Sequence, residues 1–477
     1  MSDQLTRFCV TGLHGARTID VRLTESRLII IGENGTCKST FANLIYYFLT
    51  KQWTRFREYT FTRLQAEFTT KQLVLTPEDL TQYFDARQHI RTFARFTRHL
   101  SPRHSMYAID QLMELASYES AANRPIVIAR LAEELHIPQQ VAHELLTEFE
   151  KETKGKPTHV QELERRITEL AHGQFLYLPT YRRIEQDLRA IFKGVEIESE
   201  IKKFRQRLSQ RAGAPYIELV EFGMEDVEQT IAARMAAIKE SVRKGLDNLT
   251  GTYLREVIRG VHTTVDIQRI GDIDPKSLDA VFARIDDITL PTQDKRRLKD
   301  KMASISSTKT IDEADKVIAH FLSRLTEFYA EQQANEKNVR EFVRLCNEYL
   351  TGKQLVYDNS KYTIYIAGES AGLRGGSDTL QMKSLSSGEK QIVSLFAHLY
   401  LSGQSQFFVI IDEPELSLSV PWQRRFLPDI LGTGMCTGLV AVTHSPFVWE
   451  NDTEPYVRSI TECTSRYSDR PALPFAE

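Results

Sequence analysis

Four short motifs stand in order along this chain with one very long gap between the first and the rest, and that spacing restricts what the chain can fold into. Residues Arg27 to Ile31 (RLIII) read as a buried strand. It runs into Gly32, Glu33, Asn34, Gly35, Thr36, Cys37, Lys38, Ser39 and Thr40, then into an apolar-periodic helix from Phe41 to Leu49. A strand, a glycine-containing turn and a helix N-terminus make an anion site, because backbone N–H groups and the positive end of the helix dipole converge there. Lys38 is placed to reach the β- and γ-phosphates of a nucleotide, and the Ser39 hydroxyl to ligate Mg²⁺. The other motifs lie far downstream: LSSGEKQ from Leu385, IDEPELSL from Ile411 and THSPF from Thr443. Lys38 and Gly388 are 350 positions apart, whereas Gly388 and Asp412 are separated by only 24.

The downstream motifs supply the remaining chemistry. Asp412 and Glu413 end the apolar strand Phe407 to Ile411, an arrangement that lets Asp412 hold Mg²⁺ through its water shell. Glu413 would orient or deprotonate the attacking water. A lone histidine is ordinarily structural, but His444 ends its own strand (438–444) behind the acidic pair and precedes Ser445-Pro446. It is expected to hydrogen-bond the γ-phosphate. Leu385, Ser386, Ser387, Gly388 and Glu389 resemble the signature loop of ABC-type ATPase heads of the SMC and RecF kind, with Ser387 where glycine is more usual. The implied fold class is α/β, an ABC-type (SMC/RecF-like) head of two lobes carrying a large, mostly α-helical insertion. In that class two heads sandwich ATP, the signature loop acting in trans on the partner's phosphate loop. The resemblance therefore implies ATP and Mg²⁺ as cofactors and a homodimer, with room for a higher oligomer. Residues 415–418 stand where such heads carry a dimer-contacting loop. Gln65 and Gln72 are both candidates for the glutamine that links nucleotide to the insertion.

Cys37 departs from the pattern, which has glycine immediately before the lysine. Glycine serves there because the backbone crowds the phosphates and takes φ > 0. A residue with a side chain in such a conformation costs on the order of 1–3 kcal/mol. Slowed hydrolysis at a binding-competent site is one expectation; a tolerated substitution with ordinary turnover is the other.

Length and composition fit this division. With 477 residues, the chain exceeds a single small domain. Motif placement suggests a first head lobe at 1–75, the insertion at 76–350 with a short head strand near 175–179, and a second lobe at 351–477. Five scattered cysteines show no metal spacing and are odd in number, as in a reduced cytosolic chain. No basic-then-apolar leader opens the sequence and no apolar run approaches a membrane span, so a cytoplasmic protein without membrane contact is expected. A net charge of −3 disfavours a globally basic nucleic-acid binder. Local patches remain: Arg87, Arg91, Arg95 and Arg98 fall on one helix face with Phe93 and Phe96 between them. These suit a solvated face, a nucleic-acid contact or an acidic partner. Lys202, Lys203, Arg205, Arg207 and Arg211 form a similar cluster, residues 126–146 faintly resemble a helix-turn-helix, and Tyr181, Arg182 and Arg183 follow the lone central strand.

The runs LSSGEKQIVSLFAHLYLS, IIDEPELSL, THSPF and YLPTYRRIE resemble the ATPase subunits of prokaryotic defence systems. The Septu family (PtuA) and its retron-associated relatives are the most similar. The PARIS ATPases (AriA) and the overcoming-lysogenization-defect family are alike at the head. The motifs cover both lobes, and the helical middle matches only loosely. This resemblance implies a sensor or scaffold ATPase in an anti-phage complex, with a separate effector nuclease, HNH in Septu and TOPRIM in PARIS. Only about 30 residues follow His444, which leaves no room for a fused nuclease. The competing expectation is a RecF/SMC-like DNA-repair ATPase that closes on DNA.

Overall fold

Strands and helices alternate where apolar periodicity switches between two and 3.6 residues. In the computed structural model, residues 3–88, 128–129, 132, 139–140, 142–143, 159–179, 216–218, 224–260, 279, 282, 290–308, 312–368 and 379–467 are described. In chain order the principal elements begin with β1 (Leu5–Leu13), β2 (Arg17–Arg22), β3 (Arg27–Ile31), α1 (Lys38–Leu49), β4 (Arg63–Phe68), β5 (Gln72–Leu75), α2 (Pro77–Gln88) and α3 (His159–Leu170). Next come β6 (Gln174–Leu178), β7 (Tyr216–Glu218), α4 (Glu225–Ile258), α5 (Thr292–Thr308), α6 (Glu313–Asn347), β8 (Lys353–Asp358), β9 (Thr363–Gly368) and β10 (Thr379–Leu380). The chain finishes with α7 (Ser387–Leu401), β11 (Phe407–Asp412), α8 (Val420–Gly432), β12 (Cys436–Val442), α9 (Pro446–Trp449), β13 (Val457–Ser459) and β14 (Thr464–Arg466). No helix among the described residues is long and apolar enough to cross a membrane.

The chain forms two compact units. The first comprises Met1–His172 and Gly438–Glu477. Its antiparallel sheet has the order β14-β2-β1-β4-β5. Phe8 lies opposite Val21 across the β1–β2 ladder and packs edge-on against Phe41 and Phe48 of α1, with ring centroids 5.6 and 5.8 Å apart. That face of the sheet therefore covers α1. The helix in turn buries every residue from Phe41 to Leu49, as expected of a helix that is apolar all round. In the same unit β3 is parallel to both β12 and β13, in the registers Leu28 to Val440 and Ile30 to Arg458. Ahead of β4, Trp53–Glu58 forms a 3₁₀ turn that buries Trp53 and Phe56.

The second unit is Gly173–Thr437. β6 runs parallel to β11 and to β7, and β8-β9-β10 form a small antiparallel sheet. α4 and α6 have 34 and 35 residues, so each is about 50 Å long. Their partners run in opposite order. Arg234 donates to the Asn335 carbonyl, Gly245 faces Phe328, Tyr253 donates to the Val317 carbonyl, and Glu256 accepts from His320 and Arg324. The pair is an antiparallel hairpin. Toward α5 it closes over a cluster of Phe282, Met302, Leu322, Leu325 and Tyr329. At its other end Phe342, Leu345, Cys346 and Tyr349 are buried.

α3 is anchored in the first unit by one carboxylate. Glu164 accepts from Trp53 Nε1 at 2.7 Å and from Tyr83 Oη at 2.9 Å, and both aromatic residues are buried. Removing that acceptor strands two buried donors, each costing about 1–3 kcal/mol. Glu164→Ala is expected to destabilise the protein by ~2 kcal/mol or more in urea unfolding followed by tryptophan fluorescence. Glu164→Gln, which keeps an acceptor oxygen, should lose less than half of that. Equal losses for the two variants would contradict the assignment.

Candidate functional site

The phosphate loop occupies the carboxyl end of β3. Gly32 has φ +150°, and a Cβ there would come within 2.7 Å of Ile460 Cγ2, just past β13. Close packing thus joins the loop's start to the neighbouring strand's end. Cys37 has φ 66° and ψ 23°, the left-handed conformation, and opens α1. The strain foreseen from the sequence is therefore present in the backbone. A left-handed non-glycine residue costs roughly 1–2 kcal/mol. The Lys38 side chain is buried, and its ammonium donates to the Glu33 carbonyl at 2.7 Å. Thr36 Oγ1 donates to the same carbonyl at 2.7 Å. These two bonds fold the loop on itself and hold the cationic charge over it. Arg17 at the start of β2 reaches Cys37 Sγ at 3.8 Å. Asn34, Gly35, Ser39 and Thr40 complete the segment.

β12 flanks β3 directly, and Thr443 N–H continues the ladder by donating to the Ile30 carbonyl at 3.1 Å. The next residue, His444, is exposed. The phosphate loop and the histidine thus emerge at the same end of adjacent parallel strands, the edge where open α/β sheets bind ligands. Gln65 lies on β4 and donates to Glu67 Oε1 at 2.7 Å, while Gln72 begins β5.

In the second unit, β11 is fully buried and delivers Asp412 and Glu413 at its carboxyl end. Asp412 is itself buried. Glu413 has φ 52° and ψ 59° and, with Cys37, is one of the seven non-glycine residues with positive φ among the described residues. Such outliers persist where the surroundings over-determine them and cluster at working sites. The turn Pro414–Ser417 follows. Gln423 of α8 clamps it by donating to the Leu418 carbonyl at 2.8 Å. Leu416 at its crest is 61% exposed, large for an isolated leucine.

The signature segment is built as a capped helix. Ser386 is the N-cap of α7, its hydroxyl accepting from Glu389 N–H while the Glu389 carboxylate accepts from Ser386 N–H, a reciprocal capping box. The hydroxyl proton of Ser386 is left to donate outward. Ser387 opens the helix, and a side chain at Gly388 would collide with the Ser417 carbonyl. Glycine is required there because α7 rests on the turn after the acidic pair. Glu389 also accepts from Lys353 Nζ at 2.8 Å. Burial pushes the Glu389 carboxyl up, but Lys353 and the bonds from Ser386 outweigh it and hold the group below the ordinary carboxylate range. Its contribution to stability is complete near neutral pH and is lost as pH falls through that depressed value.

Other expectations fall elsewhere. Arg87 is in the last turn of α2. Arg91, Arg95 and Arg98 lie outside the described residues, as do Tyr181, Arg182, Arg183, the cluster from Lys202 to Arg211 and most of 126–146. All five cysteines are free, and no group of metal-binding side chains occurs among the described residues. Sequence reasoning missed Lys353 and Gln423. Neither stands in a motif, and only their partners give them meaning.

The fold and the order of these segments define the class, an α/β ABC-type ATPase head with a large helical insertion. The chain belongs to the AAA ATPase domain family AAA_15, whose model matches residues 5–448. Membership implies nucleotide binding. Among solved structures it is similar to the Smc head domain with an extended coiled coil bound to the C-terminal domain of ScpA, derived from Pyrococcus furiosus. Identity is 11%, coverage is 94% of this chain and 92% of that one, and the TM-score is 0.33. It is also similar to the Smc head domain with a coiled coil and joint derived from Pyrococcus yayanosii, at 13% identity, 94% and 93% coverage and a TM-score of 0.29. Similarity at this level is loose. Among curated proteins, none matches the chain.

Cys37→Gly should relieve the left-handed strain, raising stability by about 1 kcal/mol and tightening binding of a fluorescent ATP analogue by up to roughly tenfold. No gain in either quantity would show that the cysteine is accommodated without cost. Gly388→Ala should displace α7 or the turn beneath it and lower stability by about 1–3 kcal/mol, read as a lowered urea midpoint.

Proposed function

We propose that this protein is an ATP-binding, slowly hydrolysing ABC-type ATPase that dimerises around nucleotide and serves as the sensor or scaffold subunit of an anti-phage complex. A separate nuclease is its effector. The observation that carries the ATPase reading is how each part sits on its own strand. Phosphate loop, histidine and acidic pair each follow directly on the carboxyl end of a buried parallel strand.

In this reading Gly32 to Thr40 cradle the phosphates, with Lys38 neutralising the β- and γ-groups. Ser39 and Asp412 are the residues that would hold Mg²⁺, which when bound polarises the γ-phosphoryl oxygens. Their oxygen donors suit a hard divalent cation. Glu413 takes the proton of the attacking water, and His444 donates to the γ-phosphate. Ser386, Ser387 and Gly388 of a second subunit cap that phosphate through the Ser386 hydroxyl and the N–H groups opening α7. A single subunit then lacks a complete site, and ATP-driven dimerisation follows. The exposed Leu416 beside the acidic pair supports a subunit contact there. Strain at Cys37 supports slow rather than rapid turnover.

The defence role rests on the resemblance of the signature, acidic-pair and histidine runs to the Septu and PARIS ATPases, in which nuclease and ATPase are separate subunits. Glu413→Gln should bind ATP, accumulate as a dimer in light scattering and hydrolyse at least ~100-fold more slowly, as loss of a general base predicts. Lys38→Ala should neither bind nor dimerise. The partner is tested by asking whether a nuclease reading frame lies beside its gene and, where one does, purifying the chain with and without that product. DNA or RNA cleavage only by the pair, together with reduced phage plaquing by cells carrying both genes, is expected. Degradation by this chain alone with Mg²⁺, or undiminished plaquing, would overturn the defence reading. ATP-dependent closure on DNA without any nuclease would favour the repair class instead.

A further inference from the structure

Within seven residues of its end, α6 hands the chain to two other elements of its unit. Glu348 pairs with Arg425 of α8. Tyr349 donates to Asp429 of α8 at 2.5 Å, and the Arg425 guanidinium lies 4.8 Å from the Tyr349 ring centre. Asn347 brackets the start of β8, accepting from Leu355 N–H at 2.7 Å and donating to its carbonyl at 2.8 Å. The first residue of β8 is Lys353. Its ammonium donates to Glu389 Oε2 at 2.8 Å and to the Ser384 carbonyl at 3.2 Å. One cation thus ties together both ends of the turn Ser384 to Glu389, with Ser386 and Ser387 between them. The Glu389 side chain is 7% exposed and that of Lys353 is 20% exposed. Such a pair is shielded from water, and removing one member leaves the other charge uncompensated. Within the capping box the Ser386 N–H to Glu389 Oε2 bond is short at 2.7 Å and the Glu389 N–H to Ser386 Oγ bond long at 3.4 Å, so the turn is held chiefly through the same carboxylate oxygen that Lys353 grips.

We propose that Lys353 is a positioning residue for the signature segment. Its two hydrogen bonds set where the Ser386 hydroxyl and the N–H groups opening α7 point, so the segment is delivered to the partner subunit's nucleotide only when β8 is in place. This deepens the reading of residues 386–389 as a phosphate cap acting in trans, and rests on it. The Lys353 ammonium donates to the Ser384 carbonyl and the Glu389 carboxylate, both within the signature turn. α7 also packs against α4 and α6, so Lys353 adds an ionic tie at the turn to a signature helix already seated on the hairpin.

The decisive experiment is subunit complementation. Lys353→Met should bind a fluorescent ATP analogue within about twofold of the unaltered protein, because its own phosphate loop is intact. It should lose at least about tenfold in kcat and in ATP-driven dimer formation, the size expected for one charged hydrogen bond. Lys353→Arg should recover most of that loss. Mixing Lys353→Met with Lys38→Ala should restore turnover, since the first supplies a sound phosphate loop and the second a sound signature turn. Ser387→Arg mixed with Lys38→Ala serves as the reference for action in trans. If that reference pair complements while Lys353→Met with Lys38→Ala does not, the positioning role is wrong and the trans reading stands. Full activity of Ser387→Arg by itself would remove the trans reading, and the positioning role with it. Ordinary kcat in Lys353→Met, or a parallel fall in nucleotide affinity and melting temperature without rescue by arginine, would also overturn the proposal.

Discussion

Parallel strand pairing is the constraint on which the rest depends. β3 lies between β12 and β13, and β6 lies between β11 and β7. In each set the strands point the same way, so their carboxyl ends fall together. The phosphate-loop, acidic-pair and histidine segments singled out from the sequence each lie at or just past one of these ends. Register therefore decides where these residues fall. A slip of one residue in the pairing of Ile30 with Val442 would turn alternate side chains over and move Lys38 or His444 away from its place.

The loops themselves are held in conformations their side chains resist. Cys37 and Glu413 both adopt left-handed backbone, which costs a residue with a side chain roughly 1–2 kcal/mol. What maintains them is tertiary. α1 is sealed under the antiparallel sheet by Phe8, and Gln423 fastens the turn after Glu413 to α8. The stability invested in these cores holds the active loops in shapes that the free peptide would not choose.

Much of this was legible in the primary structure. The apolar run Phe407 to Ile411 could only be a buried strand, and the mostly helical insertion contains the long helices α4 and α6. The positive φ at Cys37 could be inferred because backbone geometry at a phosphate loop leaves few choices. Features that depend on distant partners were not legible. β5 is four residues long and exists because β4 offers an edge. Glu164 and Lys353 look like surface charges on their own segments until Trp53, Tyr83 or Glu389 is brought beside them. The 3₁₀ turn at Trp53–Glu58 is likewise set by burial of Trp53 and Phe56, worth about 1.5–3 kcal/mol each, which the segment by itself does not reveal.

The embrace of β3 by β12 and β13 has a consequence for how the polypeptide is made. Both neighbours come from residues beyond 435, so a nascent chain emerging from the ribosome carries β3 with neither edge satisfied. β2 likewise waits for β14. At synthesis rates of about 5–20 residues per second, the apolar RLIII segment stays unpaired for roughly 20–80 seconds. Naked strand edges are templates for association with other chains. Assembly of the first unit thus waits until residues 436–466 have been made, and the edges of β3 stay open until then.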